Sequence, residues 1–163
     1  MNIKKLVGLC LLGFTALSCR AQQKPMRPEI NTMQESLIFP RGQKINNDNF
    51  TGTAYLQTLI VPDSVNQASV GSVTFEPGAR SKWHSHPAGQ ILIIVDGVGY
   101  YQEKGQPKKI LRKGDAVKCP PNTPHWHGAS AESSFVQIAI TGREKGETVW
   151  LEPVTDAQYN GTN

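Results

Sequence analysis

The chain has 163 residues, which suits one domain of ordinary size and leaves too little for two. Hydrophobic residues make up 38% of it and charged residues 18%, a balance typical of globular proteins rather than disordered chains. The formal net charge of +4 falls to +2 if Lys4 and Lys5 are removed with an N-terminal signal, and to +1 if Arg20 goes too. A nearly neutral protein gives no electrostatic support for nucleic-acid binding.

Residues 1–21 have the pattern of a secretory signal peptide. Two lysines precede the apolar stretch from Leu6 to Leu17, and small residues follow it. A membrane-spanning helix would need about 20 apolar residues, so we predict no membrane span. Cleavage before Cys19 would leave a lipid-anchored lipoprotein, whereas cleavage after Ala21 would release a soluble protein. In either case we expect an exported protein, in the periplasm or anchored to the membrane of a bacterial envelope.

The rest of the chain divides into an arm, a domain and a tail. Residues 22–49 are polar and interrupted by prolines, and we interpret them as an N-terminal arm or linker with an edge strand around Ser36–Phe39. Residues 50–155 form the predicted domain, and residues 156–163 a tail with at most one helical turn. Cys119 is the only cysteine in the domain, so we expect a buried apolar residue without a disulfide partner.

From residue 50 onward the sequence predicts an all-β sandwich or barrel. Short runs rich in β-branched and aromatic residues, such as "TAYLQTLIV", "QILIIVDG" and "SFVQIAIT", alternate with turns such as "EPGA" and "RKGD". No helical period persists for more than about two turns. We expect Ile91, Ile93, Val117 and Ile138 to line the interior.

The four histidines of the chain form two identical pairs. His84 and His86 are one residue apart, and so are His125 and His127. Residues i and i+2 of a strand point to the same face, so each pair can aim both rings into a barrel while the tryptophan next to it points outward. Imidazoles that converge from different strands are the ligands that divalent metals prefer, which indicates a metal site.

These pairs lie within two segments that resemble the cupin motifs. The first motif is matched by Gly78, His84, His86, Gln90 and Gly97, and the second by Gly114, Pro120 and His125. The resemblance spans about residues 50–154. It implies an all-β cupin fold, that is, a double-stranded β-helix or jelly-roll barrel with one metal ion inside.

A narrower group is also similar. The segments "FTGTA", "SVTFEPGARSKWHSHPAGQ", "PHWHGA" and "VTDAQY" resemble the small single-domain bacterial cupins that include manganese-dependent hydroxynitrile lyases, which also carry glutamine where most cupins have glutamate. The resemblance implies that His84, His86, Gln90 and His125 bind the metal and that His127 lies beside it. It implies Mn²⁺, although iron, zinc, nickel or cobalt would also suit these donors.

Two positions depart from these patterns. Asn122 stands where the general second motif prefers glycine. Gln137 lies on an inward-facing stretch where the lyase-type cupins tend to have another histidine.

Gln90 changes the expected chemistry because an amide carries no charge. A divalent ion held by three imidazoles and an amide keeps nearly its full charge, so it should bind anions and acidify a coordinated hydroxyl strongly. Gln90 cannot act as a base, and His127 is therefore the candidate catalytic residue for proton transfer.

Three functions remain open at this point. The resemblance favours a metal-dependent carbon–carbon lyase of the hydroxynitrile lyase type that acts on a small molecule. A cupin dioxygenase of the quercetinase kind is the second interpretation. The third is a non-catalytic envelope protein that binds a metal or ligand, because fold alone does not decide function. We also expect a homo-oligomer, for which the outward-facing Trp83 and Trp126 could supply an interface or an outer layer within the chain.

Overall fold

The computed structural model describes residues 38–161. The predicted signal peptide, with its candidate lipid-bearing Cys19, and the first part of the arm lie outside these residues. No helix within residues 38–161 is long and apolar enough to cross a membrane. The elements in chain order are β1 Gln43–Lys44, β2 Phe50–Thr51, β3 Ala54–Ile60, β4 Ala68–Phe75, β5 Arg80–Ser81, β6 His84–Ser85, β7 Gln90–Glu103, β8 Lys109–Arg112, β9 Ala116–Cys119, β10 His125–Ala129, β11 Phe135–Gly142, β12 Val149–Trp150 and α1 Asp156–Asn160.

The strands pair antiparallel and form a curled sheet around strand β7, which confirms the predicted all-β barrel. The first part of β7 pairs with β9 and β11, and its second part pairs with β8 and β10. A bulge interrupts the pairing with β11 shortly before the second part begins, because Val136 pairs with Asp96 but Gln137 pairs with Ile94. One long strand therefore belongs to both walls of the barrel.

The first motif ends in a glycine for a steric reason. Gly97 has a φ of 77°, which favours glycine, and it lies two residues after the β7 bulge. A Cβ atom at this position would lie 1.9 Å from the carbonyl oxygen of Ser134. Any side chain here would push the β7 and β11 backbones apart.

The barrel interior is mainly apolar, but the residues of β7 that line it are not the ones that we predicted. Gln90 faces inward, so the even-numbered residues of this part of β7 face inward with it, including Leu92 and Ile94. Ile91 and Ile93 point outward and are 44% and 40% exposed, so their predicted place in the interior was wrong. The alternation of the strand was evident from the sequence, but which face it buries was not. The core side chains are Ala54, Val73, Phe75, Ala79, Leu92, Ile94, Tyr101, Leu111, Cys119, Ala129 and Phe135.

A second, smaller core covers the outside of the barrel. Trp83 and Trp126 are 3% and 0% exposed and pack with Val154 and Tyr159 from the C-terminal segment. The Trp126 indole donates a hydrogen bond of 2.9 Å to Gln102 Oε1. The tryptophans therefore form an outer layer within this chain, which was one of the two predicted alternatives.

The segments on either side of the barrel are attached to it. Helix α1 begins with a capping box in which Thr155 and Gln158 exchange hydrogen bonds. Within the predicted arm, β1 pairs with β3, and it lies later in the chain than the predicted edge strand. Ile38 and Phe39 form a bend, and the rest of that predicted strand lies outside the described residues.

Candidate metal centre

Neighbouring strands β6 and β10 carry three of the four histidines into the barrel. His84 pairs across the ladder with His125, and their ring centroids are 4.4 Å apart. His127 shares a face with His125, whereas Trp126 between them points into the outer layer. His86 follows β6, and its ring centroid lies 5.1 Å from that of His84. All four histidine rings are buried.

The closest group of ligand atoms includes His127. One ring nitrogen from each of His84, His125 and His127 lies within 4.8 Å of the others. His86 is not part of this group of ring nitrogens, although its ring centroid is only 5.5 Å from that of His125. The structure thus brings all four histidines together, and the division into three ligands and one neighbour stays a prediction.

Backbone carbonyl groups orient two of the rings. The Nδ1 atoms of His84 and His125 lie 2.9 Å from the carbonyl oxygens of Lys82 and Thr123, each two residues earlier in the chain. A carbonyl oxygen only accepts hydrogen bonds, so each Nδ1 must carry the proton. The Nε2 atoms of His84 and His125 then keep a free lone pair, which is the state that binds a metal.

His86 is oriented by a side chain from 62 residues later. Its Nδ1 lies 3.1 Å from Thr148 Oγ1, and the guanidinium of Arg143 donates a hydrogen bond of 3.3 Å to the same hydroxyl. Arg143 also donates to Ser69 Oγ at 3.1 Å and forms a salt bridge of 2.8 Å with the exposed Glu147. A hydroxyl can donate or accept, so Thr148 permits His86 to present a free Nε2 lone pair.

The loop that precedes β10 supports His86 through its backbone. Asn122 has a φ of 58° and donates its backbone N–H to the His86 carbonyl at 2.9 Å. Gly89 donates to the same carbonyl at 3.0 Å. Asparagine tolerates this left-handed conformation better than most residues, which explains how it replaces the glycine of the general motif.

Gln90 is held so that its oxygen remains available. Its amide nitrogen donates a hydrogen bond of 2.9 Å to Thr141 Oγ1, and both side chains are buried. A weak contact also joins Cys119 Sγ to Gln90 Oε1 at 4.0 Å. Burial raises the pKa of Cys119 to about 12, so the thiol stays neutral and cannot compete as a thiolate ligand.

His127 has a different partner from the other rings. Its Nδ1 lies 3.0 Å from the amide nitrogen of Gln137, which is fully buried on β11. The predicted inward orientation of Gln137 is therefore confirmed. The ring of Phe75 packs edge-on against His127, with centroids 5.7 Å apart.

Burial keeps the four histidines in the neutral form. Loss of water contact lowers the pKa of His84 and His127 well below the usual value, and neighbouring histidines lower it further. Burial also lowers the pKa of His125. For His86 the burial, followed by the charges of His125 and Arg143, lowers the pKa to about 3. Neutral imidazole is the metal-binding form, so the site needs no proton release from these rings to bind an ion.

Unsatisfied nitrogens show that the residues fit a metal. Among residues 38–161, the Nε2 atoms of His86, His125 and His127 are buried without any hydrogen-bond partner. Buried polar atoms almost always have a partner, and leaving one without costs about 1–3 kcal/mol. The Nε2 atoms of His86 and His125, with the amide oxygen of Gln90, are nitrogen and oxygen donors that suit one divalent ion, and the unpartnered Nε2 of His127 belongs to the same cluster of rings.

A cavity of about 320 Å³ opens onto this cluster. Its polar part includes three of the histidines and Gln90, with Arg143 and Thr148 to one side, and no acidic side chain of the described residues lines it. This volume is at the small end of the range for ligand sites. The apolar side chains that line it include Phe50, Leu56, Val70, Val73 and Trp150.

The supporting residues were missed by sequence reasoning. Thr141 and Thr148 belong to no motif, and they lie 51 and 62 residues from the side chains that they orient. Nothing in the local sequence marks either threonine. Gln137 was noticed as a departure from related sequences, but its contact with His127 required the tertiary structure.

Known proteins resemble this chain at several levels. The Cupin domain family model matches residues 71–140. Over 113 residues the chain is 42% identical to (R)-mandelonitrile lyase from Granulicella tundricola, and the match covers 69% of this chain and 86% of that protein. A cupin-like protein from Thermotoga maritima, of known structure, is 46% identical with a TM-score of 0.75, and the match covers 77% of this chain and 96% of that one.

A shorter similarity points to another activity. Over 66 residues the chain is 32% identical to acireductone dioxygenase from Alcanivorax borkumensis. That match covers 39% of this chain and 36% of the dioxygenase. It therefore involves only a part of each protein, in contrast to the two longer matches.

Proposed function

This chain belongs to the cupin family, and from that premise we propose that it is a metal-dependent lyase that breaks or forms the carbon–carbon bond of a small cyanohydrin. The observation that carries the proposal is the cluster of neutral buried donors around Gln90. The 42% identity with (R)-mandelonitrile lyase, across 86% of that protein, supports the reaction type.

In this proposal the metal is held by His84, His86 and His125 through Nε2 and by Gln90 through Oε1. When bound, a divalent ion would stabilise negative charge on a substrate oxygen, and four neutral ligands would leave it nearly its full charge. Mn²⁺ is the proposed ion. The hydrogen bonds from the rings of His84 and His125 to backbone carbonyls support their role as ligands.

The residues of the chain supply the rest of the chemistry. His127 Nε2 is buried without a hydrogen-bond partner among the described residues, and the ring clusters with those of His84 and His125, so it can exchange a proton with a substrate oxygen. The apolar walls can enclose a hydrocarbon group and exclude water. Arg143 lines the cavity and no described acidic side chain does, so the site favours an anion such as cyanide.

An assay with mandelonitrile tests this proposal. The purified protein, with its metal content measured, should release benzaldehyde faster than the same protein after chelation. His127→Ala should abolish turnover while bound metal stays near the wild-type amount. Absence of benzaldehyde release from metal-loaded wild type would reject the lyase, and full activity of the variant would reject His127 as the proton-transfer group.

A dioxygenase is the second candidate, supported by the 66-residue similarity to acireductone dioxygenase. This reaction would need a redox-active metal such as iron or copper at the same site. Oxygen uptake by the iron-loaded protein with an acireductone, a flavonol or a diketone would favour it. No uptake, together with cyanohydrin cleavage, would exclude it. Metal binding without turnover in either assay would favour the non-catalytic binding protein.

Export is a separate proposal that depends on residues 1–21 alone. The basic start and apolar stretch support secretion. Fractionation of cells that express the full chain should find the protein in the envelope, and Cys19→Ser should release it from the membrane only if Cys19 carries a lipid. Recovery of the uncleaved chain in the cytoplasm would contradict export.

The homo-oligomer also stays a prediction. The outward-facing Ile91 and Ile93 of β7 are 44% and 40% exposed and could be covered by another copy. Light scattering of the eluted protein during size-exclusion chromatography would measure the mass directly. A mass close to 18 kDa or below would contradict an oligomer, because the full chain has a mass of 17.9 kDa.

A further inference from the structure

The amide of Gln137 has one polar contact in an otherwise apolar place. Gln137 is 0% exposed, and its register neighbours on β4 and β7 are Val73 and Ile94. Its nitrogen lies 3.0 Å from His127 Nδ1, and its oxygen has no hydrogen-bond partner among the described residues. The protonation pattern of the His127 ring is therefore set by this amide and by whatever occupies the cavity.

The orientation of the amide determines which ring nitrogen carries the proton. If the NH₂ group faces the ring, it donates, and Nδ1 of His127 must be the unprotonated nitrogen. If the oxygen of Gln137 faced the ring instead, both N–H bonds of the amide would be buried without acceptors. Orphaned buried N–H groups are rarer than orphaned carbonyl oxygens, so the first orientation, which the structure has, is the more stable one.

We propose that Gln137 is a positioning residue that fixes the neutral His127 ring with its proton on Nε2, so that His127 faces the cavity as a hydrogen-bond donor. His84 and His125 show the opposite pattern, because carbonyl oxygens hold the proton on their Nδ1 atoms. One buried cluster thus contains two rings with a free Nε2 lone pair and one ring with an Nε2–H.

This difference explains why one of the three clustered rings would not bind the metal. A protonated Nε2 has no lone pair to offer, although a ring nitrogen of His127 lies within 4.8 Å of ring nitrogens of His84 and His125. Instead, it would donate to an oxygen of the bound molecule. The preferred ligand therefore carries an unprotonated oxygen such as a carbonyl or an alkoxide, and this preference rests on the proposed lyase function.

Removal of a hydroxyl proton would require a rearrangement of the same pair. For Nε2 of His127 to accept a proton, the proton already there must first be lost and Nδ1 must gain one. Gln137 must also rotate its amide so that its oxygen accepts from Nδ1. In the observed orientation of Gln137 the amide oxygen has no partner, so this orientation is only modestly more stable than the other. A charged acceptor at position 137 should therefore move the proton of His127 from Nε2 to Nδ1.

Nitrogen NMR of the metal-free and zinc-loaded proteins tests the proposal without any assay of turnover. Long-range ¹H–¹⁵N correlation of ¹⁵N-histidine-labelled protein distinguishes protonated from unprotonated ring nitrogens, and single histidine variants assign the signals. Wild-type His127 should show an unprotonated Nδ1 and a protonated Nε2, whereas His84 and His125 should show a protonated Nδ1. A protonated Nδ1 on His127 would overturn the proposal.

Two variants and a matched control complete the test. Gln137→Glu should move the His127 Nδ1 signal into the protonated range at a pH where the new carboxyl group is ionised, because a carboxylate can only accept. Gln137→Met should leave a mixture of both tautomers. Gln102→Met removes another buried amide, which contacts Trp126 and Gln106 instead, and it should leave the His127 signals unchanged. Unchanged His127 signals in both position-137 variants would refute the role of Gln137, whether or not the protein is a lyase.

Discussion

Replacement of Thr141 by valine tests whether a hydroxyl far from any motif prepares Gln90 to bind metal. Thr141→Val keeps the shape of the side chain and removes the oxygen that accepts the 2.9 Å hydrogen bond from the Gln90 amide. The two side chains are 4% and 7% exposed, so water cannot easily replace the lost partner. The amide is then free to turn its oxygen away from the histidines.

The expected effects follow from this burial. A buried amide without its partner should lower the free energy of unfolding by about 1–3 kcal/mol. Loss of a hydrogen bond that orients a metal ligand typically weakens metal binding by about 10–100-fold, or about 1.4–2.8 kcal/mol. Chelator competition with Zn²⁺ or Mn²⁺ measures the second effect, and urea unfolding of the metal-free protein measures the first.

Thr74→Val is the matched control for this variant. Thr74 is 3% exposed on the opposite face of neighbouring strand β4, so the same chemical change is made away from Gln90. It should leave metal affinity within about twofold of wild type, well below the 10–100-fold expected at position 141. If Thr141→Val also binds metal with wild-type affinity, the argument that Thr141 orients Gln90 is wrong.

Three further predictions concern stability and reactivity. A divalent ion at about 100 times its dissociation constant should raise the free energy of unfolding by about 2.7 kcal/mol, and no rise in the melting temperature would contradict the metal site. Trp126→Ala should cost about 3–5 kcal/mol in urea unfolding, because the side chain is fully buried beneath the C-terminal segment. If Trp126→Ala lowers the free energy of unfolding less than Trp150→Ala, which changes a partly exposed tryptophan, the outer core does not stabilise the protein. In protein cleaved after Ala21, Cys119 should react with a thiol reagent only after unfolding, because burial raises its pKa to about 12; rapid labelling of the native protein would refute this.

The histidine arrangement could be predicted from spacing alone. Two residues that are one apart in a strand share a face, whatever the rest of the protein does, so His125 and His127 had to point the same way. The same rule placed Trp126 on the opposite face. These statements needed no long-range information, and the structure agrees with them.

The same rule was insufficient for strand β7. Its residues from Ile91 to Val95 are all apolar, so the sequence contains no polar alternation from which to choose the buried face. Ile91 and Ile93 were assigned to the interior, and the position of Gln90 in the barrel reverses that assignment. Alternate residues of the strand do share a face, but tertiary packing decides whether the odd-numbered or the even-numbered set is buried.

By itself the sequence determined that this chain forms a β-barrel whose four histidines converge, because strand alternation and motif spacing act over a few residues. Only the tertiary structure decided what contacts the second nitrogen of each ring. His84 and His125 meet carbonyl oxygens, whereas His127 meets the amide of Gln137. The carbonyl partners of His84 and His125 lie two residues earlier in the chain, whereas the contact between His127 and Gln137 joins two strands, and no local pattern specifies that partner.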